Sequence, residues 1–411
     1  MNSTPDETST SGQLSGLNSA RADYATPRGR IVNRILSVAL LCSFAIIVWG
    51  MTHYRIPGKL WRTLDRTQNP VPEIPIALAY RIPIPEPSLS FESRGSAAIA
   101  EWQTVARSKL RMLLGVTEQA HTPAVRKIRE DARDKVIRET LVLTAADGQE
   151  LPAFLLRPAV NGKRRAAVLV IPGHSRGIVN TAGIIDDYHH ANGLALARAG
   201  YVVLTVEVRG FGYLARMGAA PESVDLASHV AWAAMTGATA IGITVDDARS
   251  GLSYLESRSD VDPARLGVVG FSSGGKAAIY LAAIDDRVRA AVVSGCVSGH
   301  AANFRYSKHD SYEAVPGLAS FLALSDCIGL FAPRPMLVHW GERDTDTQAR
   351  CAAFNASSLP EFEAAQRIYD VAGAAQSLEK HITPDLGHEF DKAAAIAFLT
   401  RHLPPTMGQP E

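Results

Sequence analysis

The sequence predicts an α/β protein with a mostly parallel, doubly wound sheet, preceded by a single N-terminal transmembrane helix. Three observations carry that expectation. From about residue 97 to 403, short continuous apolar runs alternate with stretches of helical period. The strand-like run RLGVVGF (265–271) ends at a glycine-flanked serine, from which the helical run AAIYLAAI (277–284) departs. Near the N-terminus, the segment from Ile35 to Met51 carries no charge.

Composition sets outer limits. The 411 residues are 46% hydrophobic and 20% charged, ordinary values for a chain that buries a sizeable core. A formal net charge of +1 argues against a nucleic-acid partner. The cysteines (Cys42, Cys296, Cys327, Cys351) form no C-x-x-C pair, which argues against a disulfide framework and a structural zinc. One pair among Cys296, Cys327 and Cys351 could still bridge in an oxidising compartment. His189 and His190 are neighbours in an expected helix, where adjacent side chains diverge, so no metal site is expected there. No cofactor is expected.

The N-terminal third divides by composition. Residues 1–30 are polar and poor in large apolar side chains, and read as a disordered tail. Residues 31–54 read as an uncleaved transmembrane signal anchor, because no A-x-A-like cleavage site follows the apolar run. Trp49 and Tyr54 stand where interfacial aromatics belong. Arg21, Arg28, Arg30 and Arg34 before it balance Arg55, Lys59, Arg62 and Arg66 after it, so charge alone does not orient it. A short retained tail and a long translocated domain favour a folded domain on the extracytoplasmic, periplasmic side. Residues 55–95 are punctuated by proline and read as a tether. The folded α/β domain is expected over 96–411.

Within that domain each element has its own signal. Ile99, Trp102, Val105, Ala106, Leu110 and Leu113 recur at helical spacing, with Gly115 as a stop. VIRETLVL (136–143) and LPAFLLRP (151–158) flank Asp147–Gly148 as a hairpin. AAVLVIPG (166–173) is apolar throughout, as a strand buried on both faces must be. A helix over about 186–199 leads to a strand at 201–210, and a helix over 245–258 leads to the strand ending at 271. Strands at 290–295 and 335–344, a helix near 347–358, and a final strand and helix ending at Leu403 complete the unit.

The chemistry gathers at Gly270-Phe271-Ser272-Ser273-Gly274-Gly275. G-x-S-x-G between a buried strand and a helix is the pattern of a nucleophile elbow, a turn so tight that its flanking positions must be tiny. Ser272 is the expected nucleophile and Ser273 the competing serine. A base and an orienting acid should follow in the order serine, acid, histidine. Asp344 lies just past a strand, with Asp346 as the alternative. His388 precedes the last helix in DLGHEFD, whereas His339, His381 and His402 fit less well, inside strands or past a helix start. An oxyanion hole needs two backbone donors: Ser273, and a residue after the 166–171 strand, where Gly173 frees the turn and His174 is favoured over Ser175. Tyr213, Met217, His229, Trp232 and Met235, in the segment 211–244, are expected to supply an apolar pocket wall.

Taken together, YLESRSDVDPARLGVVGFSSGG, VVLTVEVRGFG, LFAPRPMLVHWGERD and LGHEF resemble the acetyl xylan esterase/dienelactone-hydrolase branch of the α/β-hydrolases over about residues 97–403. The resemblance implies an α/β-hydrolase fold and metal-free hydrolysis of carboxylic esters, often acetyl groups on sugars or small acyl substrates. It also implies a triad at Ser272, Asp344 and His388. Glu207 stands where that branch more usually has aspartate, and Ser273 where it more often has Met or Gln. The expected function is therefore a serine esterase acting on a small-molecule ester. A serine peptidase of the same fold and a non-catalytic hydrolase-fold binding protein are the alternatives.

Overall fold

A computed structural model describes residues 85–94, 99–159, 164–215, 225–306, 311–344 and 348–406. The expected tail, the transmembrane anchor and most of the tether lie outside these residues, as do Met217 and Asp346. Among the described residues no single helix is long and apolar enough to cross a membrane. Ile82–Glu411 forms one compact unit.

Helix α1 (Ile99–Leu114) precedes strands β1 (Ala124–Arg133), β2 (Val136–Thr144), β3 (Glu150–Pro158) and β4 (Arg165–Ile171). Helix α2 (Asn192–Arg198) leads to β5 (Val202–Val206), and α3 (Leu226–Met235) and α4 (Ala240–Ser257) lead to β6 (Val261–Phe271). Then come α5 (Ser273–Ile284), β7 (Val288–Ser294), β8 (Met336–Gly341), α6 (Gln348–Val371), β9 (Leu378–Thr383) and α7 (Lys392–His402). The nine strands form one sheet in the order β1-β2-β3-β5-β4-β6-β7-β8-β9. Pairing is antiparallel as far as β3·β5 and parallel from β5·β4 onward.

Alternation along the central strands builds both faces. In β4, Ala167, Leu169 and Ile171 pack with Leu110, Leu252, Ile279 and Ile368 from α1, α4, α5 and α6. Ala166, Val168 and Val170 face the other way, toward Leu196 of α2 and Phe398 and Leu399 of α7. Each fully buried aliphatic or aromatic side chain contributes about 1.5–3 kcal/mol, so the two-sided core stabilises the sheet centre most. β4 lies between β5 and β6, and its neighbours are reached by helices on opposite faces. That is a switch point, where the carboxyl ends of the strands leave a crevice.

Several expected boundaries move. β1 has no counterpart in the sequence expectation, because AVRKIREDAR is mostly charged and mostly exposed, as suits an edge strand. The helix expected from about 186 begins at Asn192, after a turn in which His190 and Ala191 take left-handed backbone, at φ 50° and 52°. α6 continues through Pro360 to Val371, because Phe362, Ala365, Ile368 and Tyr369 bury its second half. The tether ends earlier than residue 95. Ser88 and Leu89 donate backbone hydrogen bonds to Ser320 and Phe321, Phe91 N–H donates to Asp326, and Trp102 Nε1 donates to the Leu89 carbonyl. Leu89 and Phe91 thereby belong to the core.

Candidate active site

β6 ends in the sheet at Phe271, Ser272 turns at φ 57° and ψ −126°, and α5 begins at Ser273. A positive φ on a residue with a side chain costs about 1–3 kcal/mol and persists only where neighbours enforce it. Here the Ser272 N–H donates to the Ser294 carbonyl at 2.8 Å, holding the turn to β7. The expected need for tiny flanking residues is met on both sides: a Cβ on Gly270 would collide with the Gly274 carbonyl, and one on Gly274 with the carbonyls of Ile171 and Pro172. The Ser272 side chain makes no capping bond to its own helix.

Asp344 closes a tight turn after β8, its N–H donating to the Gly341 carbonyl at 3.0 Å, and is 1% exposed. His388 sits in the loop between β9 and α7 and donates from Nδ1 to Asp344 Oδ1 at 2.7 Å. Its ring packs on Phe271, with centroids 4.7 Å apart. The acid–histidine pair and Ser272 thus share one sheet edge, joined through Phe271.

A buried polar string supports these loops from below. Ser294 Oγ and His339 Nδ1 are 2.6 Å apart, His339 Nε2 and Thr383 Oγ1 are 3.0 Å apart, and Thr383 donates to Asp391 at 2.8 Å. Because Asp391 accepts from Thr383, Thr383 accepts from His339 Nε2–H, and His339 Nδ1 accepts from Ser294. Burial pushes the His339 imidazole down to about 4, so the ring is neutral. His339 and His381 lie inside strands and His402 at the end of α7, as the sequence indicates.

The loop after β4 carries His174. It passes close to the elbow: a Cβ on Gly173 would stand 2.9 Å from Ser272 Cβ. The His174 ring meets Phe211 and Tyr312 edge to face, at centroid distances of 4.8 and 5.8 Å. Ser175 Oγ accepts from the Gly177 N–H. Ser273 is the first residue of α5, so its N–H has no acceptor within its own helix. Glu207, buried after β5, accepts from the N–H groups of Ile178 and Tyr213 and fixes the far end of the same loop. Burial pushes its carboxyl up to about 7.

Two expectations need correction. Tyr213, Trp232 and Met235 are 61%, 68% and 82% exposed, so they point outward rather than forming a closed wall. His189 and His190 do not lie on a helix, and their surroundings differ. His189 is fully buried against Asp187, whereas His190 pairs with Glu389 at 2.7 Å. Periodicity gave no hint of the His189 arrangement, since its partners come from a turn and from another loop. Cys296 and Cys327 are buried free thiols, and the Cys351 side chain lies outside the described residues. Among the described residues no group of three or more His, Cys, Asp or Glu is placed to hold a metal.

Residues 151–302 match the dienelactone hydrolase family. A Bacillus subtilis (strain 168) protein described as a hydrolase, YtaP, is 30% identical over 308 residues, covering 72% of this chain and 98% of the relative. Among solved structures, a Bacteroides fragilis NCTC 9343 protein described as an acetyl xylan esterase superposes with a TM-score of 0.60 at 17% identity, covering 72% of this chain and 78% of the other. The methylesterase BT1017 gives 0.59 at 22% identity over 74% and 64% of the two chains. A CE15 glucuronoyl esterase from Teredinibacter turnerae T7901 gives 0.56 at 17% identity over 77% and 88%. These structures share the fold. The match of residues 151–302 to the family, together with that of the YtaP sequence along nearly its whole length, makes the chain a member of the dienelactone hydrolase family, within the α/β-hydrolase superfamily.

Proposed function

We propose that the protein is a serine esterase that cleaves acetyl or other small acyl esters, with Ser272 as nucleophile, His388 as base and Asp344 as the orienting acid. The observation that carries this reading is the 2.7 Å His388–Asp344 bond beside a serine held at positive φ. In this reading Ser272 Oγ attacks the ester carbonyl and its proton passes to His388 Nε2, while Asp344 stabilises the imidazolium. The backbone N–H groups of Ser273 and His174 hold the oxyanion, each worth about 3–4 kcal/mol. Collapse expels the alcohol with the proton from His388, and water then releases the acid by the same base.

No step in this scheme requires a metal or cofactor. The small-acyl preference draws support from the fold neighbour described as an acetyl xylan esterase. We further propose that residues 31–54 anchor the chain in a membrane with the catalytic domain on the extracytoplasmic side, on the strength of the uncharged run alone. Steady-state assay against p-nitrophenyl esters of graded chain length, beside acetylated sugars and aminoacyl anilides, tests the activity. Turnover should be fastest on acetyl and short acyl esters, and anilide cleavage without ester cleavage would reject the reading.

A further inference from the structure

The turn Asp187–Ala191 touches both loops on which the proposed chemistry depends. On one side His189 Nε2 accepts from the Gly173 N–H at 3.0 Å, in the loop that continues into His174. On the other, the Tyr188 carbonyl accepts from the Phe390 N–H at 2.9 Å, and His190 meets Glu389, both within two residues of His388. His189 is fully buried, between Tyr188 (centroids 4.8 Å) and Phe271 (5.2 Å).

The tautomer of His189 follows from its partners. Nε2 accepts from a backbone N–H and so carries no proton, which leaves the proton on Nδ1. Nδ1 in turn lies 3.0 and 3.1 Å from the two oxygens of Asp187, whose Oδ1 also accepts the His189 backbone N–H at 2.9 Å. Burial alone would raise the Asp187 carboxyl, but the hydrogen bonds it accepts from the His189 ring and backbone hold it below the ordinary carboxylate value. The carboxylate therefore fixes the ring, and the ring fixes the amide of Gly173. The left-handed backbone of His190 and Ala191 marks a turn held in place by these bonds.

We propose that His189, oriented by Asp187, is a positioning residue that sets the backbone of the Gly173–His174 loop, and with it the second oxyanion donor. This rests on the esterase reading of Ser272, Asp344 and His388. His189 touches neither substrate nor the reacting atoms. It works by taking up the Gly173 N–H, which orients the next peptide unit toward the elbow. Since the Gly173 Cβ direction already lies 2.9 Å from Ser272 Cβ, a small rotation of this loop would displace the donor relative to the forming oxyanion.

The test uses three variants assayed with p-nitrophenyl acetate and with a methyl trifluoromethyl ketone, whose serine adduct carries an oxyanion. His189→Phe keeps the ring packing but removes the acceptor, and His189→Gln returns an acceptor at the position of Nε2. Asp187→Asn, at the half-buried edge, releases the ring without opening the core. Expected for His189→Phe is a loss of kcat of about tenfold to a hundredfold with KM within about threefold, and an equal weakening of ketone inhibition. His189→Gln should recover most of both, and Asp187→Asn should lose part of both. Wild-type kcat and ketone affinity in His189→Phe, or in Asp187→Asn should His189→Phe not fold, would overturn the proposal. So would a kcat loss without a matching loss of ketone affinity, which is what a merely structural role produces. Ser272→Ala serves as control: if it keeps turnover, the esterase reading itself fails, whereas an inactive Ser272→Ala beside an unaffected His189→Phe rejects only this inference.

Discussion

Gly295 lies directly beneath His388: a Cβ there would stand 3.1 Å from His388 Cε1 and 3.3 Å from Asp344 Oδ2. The residue follows β7 at φ 63°, and its N–H donates to the His339 carbonyl of β8 at 2.9 Å. Strand pairing thus carries the backbone under the acid–histidine pair, and only the missing side chain lets the pair settle. Gly295→Ala meets both the left-handed backbone and the crowding. It should lose about 1–2 kcal/mol of stability and about tenfold or more in kcat, with a smaller change in KM. Urea melts and p-nitrophenyl acetate kinetics measure the two effects, and unchanged kcat would show that the pair tolerates displacement.

His339 gives a pH signature to stability. The folded protein resists protonating this buried ring until the pH nears 4, whereas the unfolded chain takes the proton near 6.5. Between those values the unfolded state binds more protons. Stability from the neutral ring is therefore complete above about pH 6.5 and lost as the pH falls toward 4, by up to about 3 kcal/mol. His339→Gln keeps an acceptor and a donor for Ser294 and Thr383 but does not titrate. Its urea midpoint should fall less between pH 7 and pH 4.5 than that of the wild type, and parallel profiles would assign acid loss to other groups.

Lys276 and Glu313 form a buried ion pair at 2.9 Å, with side chains 3% and 2% exposed. It joins the first turn of α5, just past Ser272, to the segment after β7, and Asn303 Nδ2 adds a bond to the same carboxylate. Removing one partner strands the other charge. Lys276→Met should cost about 3–5 kcal/mol, and the double change with Glu313→Met much less than twice that. Additive losses in a double-mutant cycle would mean that the two charges stabilise the fold independently.

The N-terminus is open to a fractionation test. Full-length protein should stay with membranes through high salt and carbonate washing. A chain beginning at Pro85 should be soluble and active, because it keeps Leu89 and Phe91 in the core. Removing residues through Phe91 as well should lower thermal stability, since the Trp102 Nε1 and Asp326 bonds lose their partners. Full-length protein recovered intact without detergent would reject the anchor.

What the sequence made legible was what repeats or crowds. Two-sided apolar runs mark β4 and β6, and the tiny residues Gly270 and Gly274 mark the elbow that crowds them. Asp344 and His388 were legible from chain order and from their places after a strand and before the last helix. β1 was hidden because an edge strand with charges on both faces has no apolar period. His189 was hidden because its meaning depends on Gly173 and Asp187, which no spacing rule connects. Trp232 and Met235 misled because an apolar composition does not say which face of α3 turns inward.

In the proposed mechanism Ser272 is the residue acylated during turnover. Labelling with a fluorophosphonate, followed by peptide mapping by mass spectrometry, reads that directly. The mass should add stoichiometrically to the peptide containing Ser272, persist in Ser273→Ala, and vanish in Ser272→Ala together with ester turnover. Label on Ser273 or on another serine, or wild-type turnover in Ser272→Ala, would reject Ser272 as the nucleophile.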